Sequence, residues 1–278
     1  MSSIARLPLS CFIIAKDESD RIVRSIAAVR DFVDEVVVVD SGSVDRTQEL
    51  AREAGARVVF NPWRGFGQQK RFAEEQCRND WLLNIDADEV IPEQLAREIM
   101  KLFADGLPKH AAYGVPINFV YPGCRRPRLW ARDHYCLRLY DRRRVRFKDS
   151  RLHDSVDPAG HPVGKLKHEI YHFSFRSMLD LIRKCDERAS YNARWSKPKS
   201  KWVLQTRCIT EFPINFFKYY LGRRHFTGGL MGLECASIIS YYRLARVWRL
   251  IQIQHGDGLP VGGTSQPSAG AKQPVDRA

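Results

Sequence analysis

Asp80-Trp81-Leu82-Leu83-Asn84-Ile85-Asp86-Ala87-Asp88-Glu89 decides how this chain is read. An apolar, strand-like run without glycine ends abruptly in three acids, the place where a sheet delivers carboxylates into a crevice. Hard oxygen ligands at such a place suit Mg²⁺ or Mn²⁺. These ions are usually held by one or two carboxylates together with substrate phosphates, so a metal–diphosphate is the expected occupant. The same acids could instead cap a following helix, and an Asp-x-Asp alone does not choose between the two.

The flanking segments extend the pattern on both sides. Leu9 to Ala15 is a continuous apolar run, as expected of a strand covered on both faces, and polar Lys16 to Asp20 follow it. Val36 to Val39 form a second run that ends in Asp40-Ser41-Gly42-Ser43. Between the two, Ile22, Val23, Ile26 and Val29 recur at helical spacing. Leu50 and Ala54 then lead to Gly55, a natural helix stop. Arg57 to Phe60 read as a third strand, Gln68 to Cys77 as a helix, and Trp81 to Ile85 as the fourth strand. Strand and helix alternate at the length of βαβ units, which predicts an α/β domain with a mostly parallel sheet and helices on both faces. Ligands on such sheets bind outside the carboxyl ends of the strands, where Glu18, Asp40, Asp86 and Asp88 all sit. Lys70, near the start of a helix approached by Gly65-Phe66-Gly67, is placed to neighbour a diphosphate or to face solvent.

These residues resemble a known family. Ile14 to Glu18, Val38 to Thr47, Gly67 to Lys70 and Asp86 to Glu89, in that order, are similar to family 2 glycosyltransferases of the GT-A fold. More narrowly, they resemble the lipopolysaccharide-core β-glucosyltransferase branch. The match is continuous over about residues 7–100, looser to about 250, and absent in the tail. The resemblance implies inverting transfer from a nucleotide-sugar donor. It puts Asp40 against the nucleotide base, and Glu18 and the Ala15 backbone in the wall of that pocket. Asp86 would face the ribose and ion, Asp88 would ligate the metal directly, and His172 would complete the metal shell. It also offers Asp154, in Leu152-His153-Asp154-Ser155, as the base that takes the acceptor hydroxyl's proton. The branch usually carries Glu there, so Asp shortens the reach.

Composition narrows the partners. The 278 residues carry a net charge of +13, which favours anionic partners. Arginines crowd residues 125–146 among aromatics, and Arg128, Trp130 and Arg138 are the expected contacts for a phosphorylated or lipid-linked saccharide acceptor. A nucleotidyltransferase of related fold and a basic nucleic-acid-binding protein are the alternatives. The first would want a Gly-rich basic loop after strand one; the second leaves the ordered acids unexplained, so no nucleic acid is expected. None of the 7 cysteines stands in a Cys-x-x-Cys, which excludes a zinc ribbon or a dithiol redox pair. Scattered thiols and an N-terminus without a signal pattern predict a cytoplasmic protein.

Three regions are expected. Residues 1–175 form the catalytic domain, with a nucleotide-sugar half at about 7–100 and an acceptor half at about 101–175. Residues 176–255 form a helical, basic and aromatic region, and 256–278 a disordered tail rich in Gly, Pro, Ser and Gln. Charges interrupt every apolar run of the helical region, so it is expected to associate peripherally with the cytosolic face of the inner membrane, through Phe212 to Arg249, without spanning it.

Overall fold

The structure is a computed structural model that describes residues 6–131, 133–150, 155–194 and 196–255. It divides into two compact units, one built from residues 6–118 and Asp133–Ser174, the other from residues 119–131 and 175–255.

The first unit opens with β1 (Leu7–Ala15), α1 (Ile22–Ala27), β2 (Val33–Asp40), α2 (Thr47–Glu53), β3 (Arg57–Phe60), α3 (Phe66–Gln76) and β4 (Trp81–Asn84). It continues with β5 (Glu89–Val90), α4 (Glu93–Leu102), β6 (Ala112–Phe119), β7 (His134–Asp141), β8 (Arg146–Phe147), β9 (Val156–Asp157), β10 (Val163–Lys165) and β11 (Ile170–His172). The main sheet runs β3-β2-β1-β4-β7-β6-β11-β5, with β10 against β6. Side chains alternate across β1: Leu9, Cys11, Ile13 and Ala15 enter a cluster with Ile22 and Ile26 of α1 and Leu95 and Ile99 of α4. Phe12 and Ile14 enter another with Ala73 of α3 and Phe147. Both faces are therefore apolar and covered, which is why the strands read as unbroken hydrophobic runs.

β1 to β4 are parallel to one another, as the βαβ pattern predicts. Beyond them the sheet is mixed, because β7 runs antiparallel to both β4 and β6, and β5 antiparallel to β11. The architecture is thus GT-A-like, a mixed and mostly parallel α/β sheet with helices following it in the chain.

The second unit holds α5 (Met178–Arg194), α6 (Lys201–Phe217), a π-helical turn (Lys218–Gly222), a 3₁₀ turn (His225–Gly228) and α7 (Gly229–His255). α5 and α6 both pack on α7, with Leu204 of α6 set against Val247 and Leu250. No helix among the described residues is long and apolar enough to cross a membrane. The arginines expected at a membrane surface are partly engaged elsewhere. Arg243 is buried, and Arg249 pairs with Asp186 of α5.

Candidate active site

The acids at the end of β4 sit on a tight turn whose own residues brace it. The Glu89 amide donates to the Asp86 carbonyl at 3.0 Å, and the Asp86 amide donates to Glu89 Oε2 at 3.0 Å. This reciprocal pairing at i and i+3 fixes Asp86, Ala87 and Asp88 in one presentation. Ser25 of α1 adds a bond from its hydroxyl to the Ala87 carbonyl at 2.7 Å.

His172 arrives from 84 residues away because β11 pairs with β5, which places His172 opposite Glu89, while the Phe173 amide donates to the Asp88 carbonyl at 2.8 Å. Its Nε2 lies 3.2 Å from Asp88 Oδ2. Arg21 approaches the same oxygen at 3.7 Å and is held by Glu18 and by the Phe173 carbonyl. Burial alone would raise the Asp88 pKa, but His172 and Arg21 outweigh it and keep this carboxyl below its ordinary value. Burial likewise opposes the charge on His172, yet Asp88 first, with Glu89 and Asp86, lifts its pKa above the ordinary value.

Asp88 Oδ1 is buried and has no hydrogen-bond partner among the described residues. A desolvated, unsatisfied carboxylate oxygen beside an imidazole is the donor set that a hard divalent cation would complete, so the residues fit Mg²⁺ or Mn²⁺. No group of three His, Cys, Asp or Glu side chains is arranged as a ready-made metal cluster among the described residues. Two protein ligands with phosphate oxygens supplying the rest match the habit of these ions.

Asp86 has different neighbours from those the sequence suggested. Its Oδ1 accepts from Lys70 Nζ at 3.1 Å and its Oδ2 from Arg138 at 3.2 Å. Burial raises its pKa, but Lys70 and Arg138, followed by His172, pull it below the ordinary value. Lys70 is fully buried inside α3, not solvent-facing, and also reaches Asn84 Oδ1 at 3.0 Å. Arg138, expected at the acceptor, is buried as well: its guanidinium bonds Asn84 Oδ1 at 2.6 Å and pairs with Glu89 and Asp86. The Glu89 pKa, by contrast with those of Asp86 and Asp88, is raised, by burial first and then by Asp86 and Asp88, with Arg138 opposing.

The loops after β1 and β2 are stitched together. The Glu18 amide donates to Thr47 Oγ1 at 2.8 Å, the Ser19 amide to Asp45 Oδ2 at 3.1 Å, and Ser41 N–H to the Ala15 carbonyl at 3.0 Å. Asp40 is wholly buried. Its Oδ2 accepts the Gly42 and Ser43 amides at 2.8 and 2.9 Å and Gln48 Nε2 at 2.8 Å, while Ser43 Oγ bonds Oδ1. Gly42 has φ 92°, the left-handed conformation that lets the loop curl back over that carboxylate. Here Asp40 organises the loop. Glu18 is buried against Arg21.

The arginine-rich stretch is partly spent on structure. Residues 142–148 line a cleft of about 520 Å³, but Arg142 donates to the Glu74 and Cys77 carbonyls at 2.7 and 2.9 Å, Arg143 pairs with Asp141 at 2.7 Å, and Arg146 with Glu74 at 2.9 Å. Arg128 and Trp130 belong to the second unit. Arg128 bonds the Arg223 carbonyl at 2.7 Å, and the exposed Trp130 has a left-handed backbone with φ 53°. Asp154 and His153 lie outside the described residues. The residues that sequence reasoning passed over are Arg21 and Asn84; Glu89 was read as one of three acids after the strand, and its i, i+3 spacing from Asp86 is the signal of its bracing role.

Comparison with known proteins places the chain among relatives. The family model described as "Glycosyl transferase family 2" matches residues 10–160. A Rickettsia felis protein named as a glycosyltransferase is 37% identical over 87% of this chain and 89% of its own. The lipopolysaccharide core biosynthesis glycosyltransferase LpsC of Rhizobium meliloti is 30% identical over 90% and 94%. Among solved structures, glucosyl-3-phosphoglycerate synthase from Mycobacterium tuberculosis, in complex with Mn²⁺, uridine diphosphate and glucosyl-3-phosphoglycerate, is 26% identical. That match covers 43% of this chain and 45% of that one, at a TM-score of 0.34.

Proposed function

Because the chain belongs to glycosyl transferase family 2, whose members move a sugar from a nucleotide-sugar donor, we propose that it inverts a hexose, glucose or a close relative, onto a lipid-linked saccharide of the lipopolysaccharide core. The observation that carries the reading is the braced turn that presents the unsatisfied Asp88 oxygen beside His172. Asp88 and His172 would hold Mg²⁺ or Mn²⁺, which supplies positive charge for the departing diphosphate. Lys70 and Arg138 keep Asp86 ionised at the edge of the donor pocket. Glu18, Asp40 and the Ala15 backbone shape that pocket's nucleotide side. The acceptor's hydroxyl oxygen bonds to the anomeric carbon as the carbon–diphosphate bond breaks, and Asp154 takes the hydroxyl proton. Arg128 and Trp130 are the acceptor-side residues of this reading. LpsC supports the lipopolysaccharide assignment, and a membrane-borne acceptor is the reason for reading the enzyme as peripheral at the cytosolic face of the inner membrane. The catalytic work falls to about residues 1–175, and 176–255 serve the membrane side.

Thermal melting against a panel of nucleotide sugars, with and without Mn²⁺, tests the donor assignment, since a ligand specific to the folded state raises the midpoint. Stabilisation that is equal without metal, or absent with every sugar nucleotide, would overturn it. Asp154→Asn is expected to leave donor affinity unchanged and to lower turnover by roughly 10²–10⁴-fold, the range for a positioned general base. Calorimetry and steady-state rates on one preparation separate the two quantities. Collapse of donor binding along with turnover would make Asp154 structural.

A further inference from the structure

We propose that the outward face of α6 is a docking surface for an anionic lipid membrane, on which the helix lies in the interfacial plane. The proposal extends the reading of a membrane-borne acceptor, and it begins from a face that water does not explain. α6 turns Leu204 and Asn215 inward, and Leu204 packs on α7. On the other side, at the spacing of successive turns, stand Trp202, Val203, Ile209, Ile214 and Phe217. Trp202 is 80% exposed and Ile209 78%, and with the other three they make one contiguous apolar stripe along the helix.

The polar residues among them are muted. Thr206 Oγ1 donates to the Trp202 carbonyl and Thr210 Oγ1 to the Thr206 carbonyl, both at 3.0 Å. Each hydroxyl is thus satisfied within the helix, which suits these side chains to a medium that offers no hydrogen bonds. The helix has one acid, Glu211, which is partly buried and pairs with Arg207 at 2.8 Å.

Charge selects the occupant. Lys197, Lys199 and Lys201 are exposed just before and at the start of α6, and Lys218 is exposed just after its end. An apolar stripe with a tryptophan at one end, a phenylalanine at the other and cations beyond both is the pattern of an interfacial helix on anionic lipid. A second copy of the chain fits less well, because stacking two such faces brings lysines against lysines whichever way the helices run. At 1.5 Å per residue the 17 residues reach about 25 Å, enough for several turns to lie in the headgroup layer.

Flotation of the full chain with vesicles tests this, comparing phosphatidylcholine alone with phosphatidylcholine containing phosphatidylglycerol. Binding is expected only with the anionic lipid, and it should weaken as salt rises. Ile209→Glu with Phe217→Glu should lower the bound fraction at least about tenfold. Lys197→Gln, Lys199→Gln and Lys201→Gln together change only exposed charges and should weaken binding to anionic vesicles in particular, so the test survives if the first variant misfolds. Binding of uridine diphosphate with Mn²⁺ should be the same in all of them. Vesicle binding that ignores lipid charge or is unmoved by both variants would overturn the proposal. So would a dimer seen by light scattering that the double glutamate variant dissolves while no form binds vesicles. A chain that transfers sugar yet ignores vesicles loses the docking face alone, whereas one that docks but transfers nothing keeps the face and loses the acceptor assignment.

Discussion

Asp88→Ala is expected to abolish sugar transfer and remove the metal dependence of donor binding while the fold survives. The fold should hold because β5–β11 pairing at this point uses the Asp88 carbonyl, which accepts the Phe173 amide at 2.8 Å and is present in alanine. Chemistry should fail because the substitution deletes the unsatisfied buried oxygen that a divalent ion would complete. Charge stabilisation by a metal at a leaving diphosphate is worth several kcal/mol, so a loss of about 10³-fold or more in kcat/KM is expected. A second readout is independent of activity. Asp88 is the main group lifting the His172 pKa against burial, so without it the imidazole should titrate lower than in the parent, seen in its proton resonances. Near-normal turnover with unchanged metal dependence would refute the assignment.

Much of this site could be read before any coordinates. Strand ends are where an open parallel sheet exposes polar groups, so apolar runs that give way to acids marked the loops that carry Glu18, Asp40 and Asp86. Periodicity carries that information because both faces of β1 and β2 are buried, which leaves few other patterns possible. The mixed half of the sheet was harder to foresee. Its strands β5, β10 and β11 have only two or three residues each, and so short a run shows no period.

The roles of the cations were the least legible. Arg138 and Lys70 occupy a strand and a helix that would suit exposed basic residues equally well. Only the antiparallel seating of β7 beside β4 turns Arg138 toward Asn84 and the acids. In the same way, a basic count over Phe212 to Arg249 could not tell buried Arg243 from exposed Lys218, whereas helix packing could. Sequence spacing singled out the carboxylates at the strand ends; three-dimensional packing decides which cations they face.

Arg138→Met is expected to destabilise the protein by about 3–5 kcal/mol, the usual consequence of removing one partner from a buried ion pair. The arginine is 2% exposed and serves three acceptors: Asn84 Oδ1, Asp86 Oδ2 and Glu89 Oε1. Methionine fills much of the volume, so the loss is chiefly electrostatic. Glu89, fully buried, would keep its bond from the Asp86 amide but lose its cation. Asp86 would keep Lys70. The pH dependence has a definite sign. Glu89 already has a raised pKa, and loss of Arg138 raises it further, so the folded state holds that proton more tightly than the unfolded chain. A carboxyl raised in this way costs stability as pH climbs past its unfolded value of about 4.3 and up toward its folded value. The gap between variant and parent should therefore be smaller at pH 5 than at pH 8 in urea denaturation, and Glu89→Gln added to Arg138→Met should recover part of it at pH 8. Turnover should fall along with stability, because the acids of the turn that presents Asp88 lose the cation that pairs with them. An Arg138→Met protein as stable as its parent at both pH values would show that Lys70 alone neutralises this cluster.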